Sequence, residues 1–207
     1  MPQAVEPVEP GGELRALASQ TPVDPKRIAA WLDALRHAER VAAVRALGRA
    51  EQRRLYEAVA GHLPLRLRDL VPPATGDRVA VRHFGRNTLP AFTLFEKRFC
   101  RPPGADPEAP GELWGYNHQS TAFFTGPGYF VAREDPDRAE LWIDYTRLPA
   151  GRAAGWPEIR PNERGIARLV YGFMVDTLRR VSEHVTIGSA ARRGRDLGSW
   201  FALCREA

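Results

Sequence analysis

The stretch GYNHQSTAFFTGPGYFVARE, residues 115–134, decides between a sandwich and a barrel. It alternates like two strands joined by a turn, with Pro127 and Gly128 as the central pair of a type II turn. Strand geometry puts Tyr116, His118, Ser120, Ala122 and Phe124 on one face, and Asn117, Gln119, Thr121, Phe123 and Thr125 on the other. The second set is nearly all polar and reads as the solvent face. The first set then points inward, yet apart from Phe124 it is small or polar. A sandwich core wants large apolar groups there, because a buried polar group without a hydrogen bond costs roughly 1–3 kcal/mol. A barrel of about eight strands that encloses a small molecule relaxes this demand, and its Tyr, His and Ser become donors toward a ligand.

The β pattern extends over the last two thirds of the chain. VAVRHF (79–84), FTLFEKRFC (92–100), AELWIDYTRL (139–148), HVTIGSAAR (184–192) and GSWFALCRE (198–206) are rich in β-branched and aromatic residues and are separated by Gly, Pro and Asp. They predict an antiparallel meander over 78–207. Two long connections, 101–112 and 149–165, interrupt it; such loops are often functional lids or simply mobile. Residues 166–181 fit two patterns. Ile166, Leu169, Val170, Phe173, Met174, Leu178 and Val181 have helical spacing behind a cap at Asn162, while FMVDTLRRV and VTIGSAAR around a turn at 182–184 read as strands. The strand reading is preferred for 173–192.

The first third is helical. Residues 1–12 are rich in Pro, Gly and Glu and are expected to form a disordered tail, and 13–72 a small helical unit. In TPVDPKRIAAWLDALRHAER, Asp24 is the N-cap, Pro25 the first helical residue, and Ile28, Trp31, Leu32 and Leu35 form one apolar stripe. Two shorter helices follow, 38–47 and 50–59, broken near Gly48 and closed by Gly61. The expected class is therefore α+β: helices first, then a meander barrel.

Residues 176–206, DTLRRVSEHVTIGSAARRGRDLGSWFALCRE, resemble the closing segment of small bacterial domains of unknown activity found with the GXWXG motif. In those domains an Arg-Arg-Val-Asp turn leads to a Leu-Gly strand and an apolar final strand. LFEKRF (94–99) is similar to their Gly-Lys-Arg-Phe step. The likeness covers about a fifth of this chain; Ser182 and His184 stand in place of acidic residues, and the GXWXG element itself is missing. It implies a calycin-like single barrel and carries no chemistry with it.

Composition excludes little beyond disorder and helical membrane spans. With 43% hydrophobic and 27% charged residues the chain can bury a core, and no apolar run approaches the roughly 20 residues of a spanning helix. The N-terminus lacks the marks of a signal peptide, so a cytoplasmic location is expected, with Cys100 and Cys204 as reduced thiols. The net charge of +5 rests almost wholly on arginine; Lys26 and Lys97 are the two lysines. Arg49, Arg53 and Arg54 sketch a basic patch that Glu51 and Glu57 interrupt, and nothing interleaves aromatics for stacking on bases, so no nucleic-acid partner is expected.

No nucleophile elbow, phosphate loop, dinucleotide fingerprint, HExxH or CxxC pair is present, so no catalytic, metal or cofactor assignment follows. The expected ligand-binding set is Tyr116, His118, Ser120 and Phe124, with Trp142 and Asp144 completing the same wall and Arg180 turned inward toward an anion. For the fifth strand the opposite phase, Leu141, Ile143 and Tyr145, makes the better core and stays open. Three functions compete. The first is capture of a small, partly apolar or anionic ligand in the barrel. The second is isomerase- or cyclase-type acid/base chemistry on His118 and Asp144. The third is docking of a partner through the basic N-terminal helices.

Overall fold

The computed structural model describes residues 9–90, 93–118, 126–163 and 165–207. Helices α1 (Pro10–Ala18), α2 (Pro25–Ala34), α3 (His37–Ala46), α4 (Arg49–Ala58) and α5 (Leu67–Leu70) precede the strands. As expected, Asp24 caps α2, accepting from the backbone N–H groups of Lys26 and Arg27 at 3.0 and 3.1 Å. Gly48 caps α4, and Gly61 just beyond it takes a φ of 67°, which the lack of a Cβ makes cheap. The helical unit starts earlier than expected. Pro10 opens α1, drawing in residues assigned to the tail, and Gly11 lies so close to Ala46 of α3 that a side chain there would collide with it.

Eight strands follow: β1 (Val81–Asn87), β2 (Leu94–Cys100), β3 (Leu113–His118), β4 (Tyr129–Glu134), β5 (Leu141–Asp144), β6 (Val175–Arg180), β7 (Val185–Arg192) and β8 (Arg195–Arg205). Each pairs antiparallel with its neighbour in sequence, and β8 pairs with β1 to close the barrel. Closure leaves no unpaired edge. The strand reading of 173–192 is borne out by β6 and β7, and the helical signal before them is used by a short α6 (Gly165–Val170). Asn162 donates from Nδ2 to the carbonyl oxygens of Tyr129 at 2.6 Å and Tyr145 at 2.8 Å, tying the loop to β4 and the end of β5.

Three apolar clusters organise the described residues, two of them on either side of the barrel wall. Helices α1–α4 bury Leu14, Leu17, Ile28, Leu32, Val44 and Leu55 against the outer face of β7 and β8, where Val185, Ile187, Ala202 and Cys204 point outward. Inside the barrel, Phe99, Leu113, Phe130, Leu141, Ile143, Leu178 and Leu203 fill one end, plugged by Leu67 and Leu70 of α5. Interior glycines make the room. Gly115 faces the ring of Phe130 and Gly188 that of Phe201, each so closely that an added Cβ would overlap the ring. Cys100 and Cys204 are free and buried, and among the described residues no helix is long and apolar enough to cross a membrane.

The phase of β3 is opposite to the one expected. Register pairs Gly115 with Phe99 and Phe130, and Asn117 with Lys97, so the odd-numbered residues face inward. Trp114 and Tyr116 lie on the outside but are still buried. The 149–165 connection folds over them, bringing Trp156 to 4.8 Å from Tyr116 between ring centroids, and Tyr129 donates its hydroxyl to Pro157 O at 2.5 Å. This loop gives the outer wall a second core. The outer face of β3 is therefore covered by protein and not by water.

Candidate functional site

The end of the barrel away from α5 opens into a cavity of about 390 Å³. Phe95, Phe201, Met174 and Tyr171 supply its apolar walls, and α6 adds Leu169 and Val170. Arg192 holds α6 in place by donating to the carbonyls of Leu169 at 2.8 Å and Val170 at 3.2 Å. At the mouth Leu89, Leu169 and Leu197 are exposed, Leu169 to 74%.

The polar floor comes from inward positions on four segments. Lys97 of β2 sits between Phe95 and Phe99 on the core face, Asn117 comes from β3, Tyr145 follows β5, and Asp176 lies on β6. All four are buried. Lys97 Nζ donates to Asn117 Oδ1 at 3.0 Å and to the Tyr145 hydroxyl, while Asn117 Nδ2 donates to that same hydroxyl at 3.0 Å. Asp176 Oδ2 stands 3.9 Å from Lys97 Nζ, and Asp176 Oδ1 has no hydrogen-bond partner among the described residues. Aromatic faces surround the ammonium group, with the rings of Phe201, Phe130 and Tyr145 at 4.9, 5.0 and 5.0 Å. Tyr145 also stacks on Tyr171 at 5.4 Å.

Burial governs the protonation states. Removed from water, Lys97 is pushed down to about 8 despite the nearby Asp176 carboxylate, which favours its charge. Asp176 is pushed up to about 7, again by burial, with Lys97 opposing. Burial, and secondarily Asp176, holds Tyr145 well above the usual phenol range, so it stays protonated. An amine and a carboxyl group whose charged forms are both disfavoured by burial thus share one chamber with a phenol and an amide.

The residues expected from sequence lie elsewhere. Tyr116 packs in the outer cluster against Trp156, and His118 is exposed on the outer face, its Nδ1 3.4 Å from the Tyr116 hydroxyl. Asp144 accepts from Arg133 at 2.9 Å and from the N–H and hydroxyl of Thr146 at 3.0 and 2.6 Å, so it closes a turn on the outside. Trp142 lies half-buried under the Arg133 guanidinium. Arg180, at the plugged end, pairs with Asp69 at 3.5 Å and donates to Ser182 O, so its carboxylate comes from α5 rather than a ligand. Ser120 and Phe124 lie outside the described residues. For β5 the open alternative holds, with Leu141, Ile143 and Tyr145 facing in. Of the N-terminal arginines, Arg49 donates to Gly198 O at 2.5 Å and Arg53 to Glu57 at 2.9 Å.

Lys97, Asn117, Tyr145 and Asp176 were not singled out from the sequence, although three of them carry a readable signal. In Phe-x-Lys-x-Phe (95–99), Leu-x-Ile-x-Tyr (141–145) and Met-x-Asp-x-Leu (174–178) a polar group occupies the apolar phase of a strand. A charge on the core face is costly unless it is paired or used.

The fold and cavity together define a closed eight-stranded antiparallel barrel with an accessible chamber and an ionisable floor. No family model, curated protein or solved structure matches the chain. Among the described residues no group of three or more His, Cys, Asp or Glu side chains could hold a metal ion.

Proposed function

We propose that the protein captures a small, largely apolar molecule with one polar head group inside the barrel. The observation that carries this reading is a buried lysine on the polar floor of an apolar-walled cavity of about 390 Å³, a volume suited to small-molecule sites. The head group meets Lys97, Asn117 and Tyr145, and the apolar part lies among Phe95, Phe201 and Met174. Eight-stranded up-and-down barrels such as lipocalins hold one ligand in the same manner, so a calycin-like assignment belongs to this proposal. A cytoplasmic location belongs to it as well, supported by two free, buried thiols.

His118 and Asp144 do not line the cavity, so acid/base chemistry in it does not run on that pair. A catalytic reading rests instead on Lys97 and Asp176. Thermal unfolding with 3-phenylpropanoate, octanoate and their alcohols tests the binding reading. A ligand at about 100 times its dissociation constant adds roughly 2.7 kcal/mol to stability. The carboxylates are expected to raise Tm, and Lys97→Met to abolish that rise. No shift with any of the four compounds, at concentrations up to solubility, would remove the support for capture.

A further inference from the structure

We propose that Lys97 is a carbonyl-capturing nucleophile: the aldehyde or ketone group of a small apolar ligand condenses with its Nζ to form a Schiff base in the barrel. The inference rests on the binding reading and gives the ligand a chemical class.

The geometry supplies what the reaction needs. Lys97 lines the cavity and its Nζ lies over the faces of Phe201 and Tyr145, where a carbonyl carbon entering through the mouth would meet it. Attack requires a free amine. An ordinary lysine in water releases only about one amine in 2,500 at pH 7. Here the apolar rings around Nζ disfavour the ammonium form, against the pull of the Asp176 carboxylate 3.9 Å away. The Nζ lone pair forms the C–N bond while the carbonyl π pair moves to oxygen, which takes a proton to give a carbinolamine. Loss of the remaining N–H proton and of the hydroxyl group as water, with a proton from Asp176, leaves the C=N bond. Amine and carbonyl give imine and water, with no change of oxidation state. Tyr145, kept protonated by burial, offers its O–H to the carbonyl oxygen.

Two observations distinguish this from a structural ion pair. A buried pair offsets its desolvation only with close geometry and satisfied lone pairs. Lys97 and Asp176 sit at the outer limit of pairing, and among the described residues Asp176 Oδ1 makes no hydrogen bond. The chain also meets nearly all its need for positive charge with arginine; only two of its thirty Lys and Arg residues are lysines. Arginine does not deprotonate in proteins. Lys26 is exposed in the first turn of α2, and Lys97 is the lysine inside the cavity.

The test incubates the protein with 3-phenylpropanal and sodium cyanoborohydride and maps adducts by peptide mass. The matching alcohol, 3-phenylpropanol, is run in parallel by thermal shift. Lys97 is expected to be labelled at least about tenfold faster than Lys26, as an amine freed by burial requires. Asp176→Asn should slow labelling severalfold while still binding the alcohol. Equal labelling of both lysines, or binding of the alcohol without an adduct on Lys97, would overturn the covalent step and leave the capture reading standing. Absence of both alcohol binding and adduct would overturn the two together. The comparison of Lys97 with Lys26 is made within the unmodified protein, so it does not depend on a variant folding.

Discussion

Lys97 Nζ and Asp176 Oδ2 lie 3.9 Å apart inside a closed barrel, with both side chains nearly inaccessible to solvent. Neither group is comfortable there alone, and together they are only loosely paired. Breaking such a pair from one side leaves a buried charge or forces it to neutralise. Lys97→Met and Asp176→Leu are each expected to lower stability by roughly 2–4 kcal/mol at pH 7, and the double variant to regain most of that loss. Urea unfolding of the four proteins in the cycle gives the answer. Additive losses would show that the two groups do not interact.

His118 is expected to be dispensable. It is exposed on the outer face, and its contact with the Tyr116 hydroxyl is long, at 3.4 Å. His118→Ala should change stability by no more than about 0.5 kcal/mol, the range of surface substitutions, and leave ligand capture unaltered. Asp144→Ala should cost more, about 1–2 kcal/mol, because it strips the bonds from Arg133 and Thr146 that close the turn after β5. Chemical denaturation of both variants, with ligand titration of the first, checks these values.

Gly188 faces Phe201 across β7 and β8, and a methyl group placed on it would overlap the ring. Gly188→Ala is expected to destabilise by about 1–3 kcal/mol through overpacking. Combining it with Phe201→Leu should recover part of the loss, since the smaller side chain vacates the space. If the single substitution were neutral, the interior would be less tightly filled than the register implies.

Acid sensitivity should trace to His83. It lies fully inside the barrel, donating from Nε2 to Leu70 O at 3.0 Å, with its ring edge-on to Phe99 at 4.7 Å. Burial pushes its pKa down to about 3, with the carbonyl of Leu70 opposing and the charge of Arg205 adding to the fall. The folded protein therefore refuses a proton that the unfolded chain accepts below about pH 6.5. The stability from neutral His83 is present above that pH and falls away toward pH 3, by roughly 1.4 kcal/mol per unit. His83→Gln should flatten this part of the pH profile, read as urea midpoints between pH 7 and 4.

The order of elements was legible in the sequence because it is written in local chemistry. Asp24 and Pro25 start a helix whatever surrounds them, and the switch from a period near 3.6 to a period of 2 marks where strands begin. Gly/Pro punctuation separated the strands, and consecutive strands paired with one another, so a meander could be expected. The preference for strands over helix at 173–192 held for the same reason.

Which face of each strand became the interior was decided only by tertiary structure. Alternation states that Tyr116 and Asn117 point opposite ways, but not which way is in. The 149–165 loop settles that by burying Trp114 and Tyr116 from outside, so that Asn117 joins Lys97 within. The site has the same origin: Lys97, Asn117, Tyr145 and Asp176 are separated by 20, 28 and 31 positions and meet only because closing the barrel brings four strands around one axis. Hydrophobic periodicity records how a segment divides its two faces. What covers each face, and which distant side chains share the space behind it, depends on long-range packing that no single segment contains.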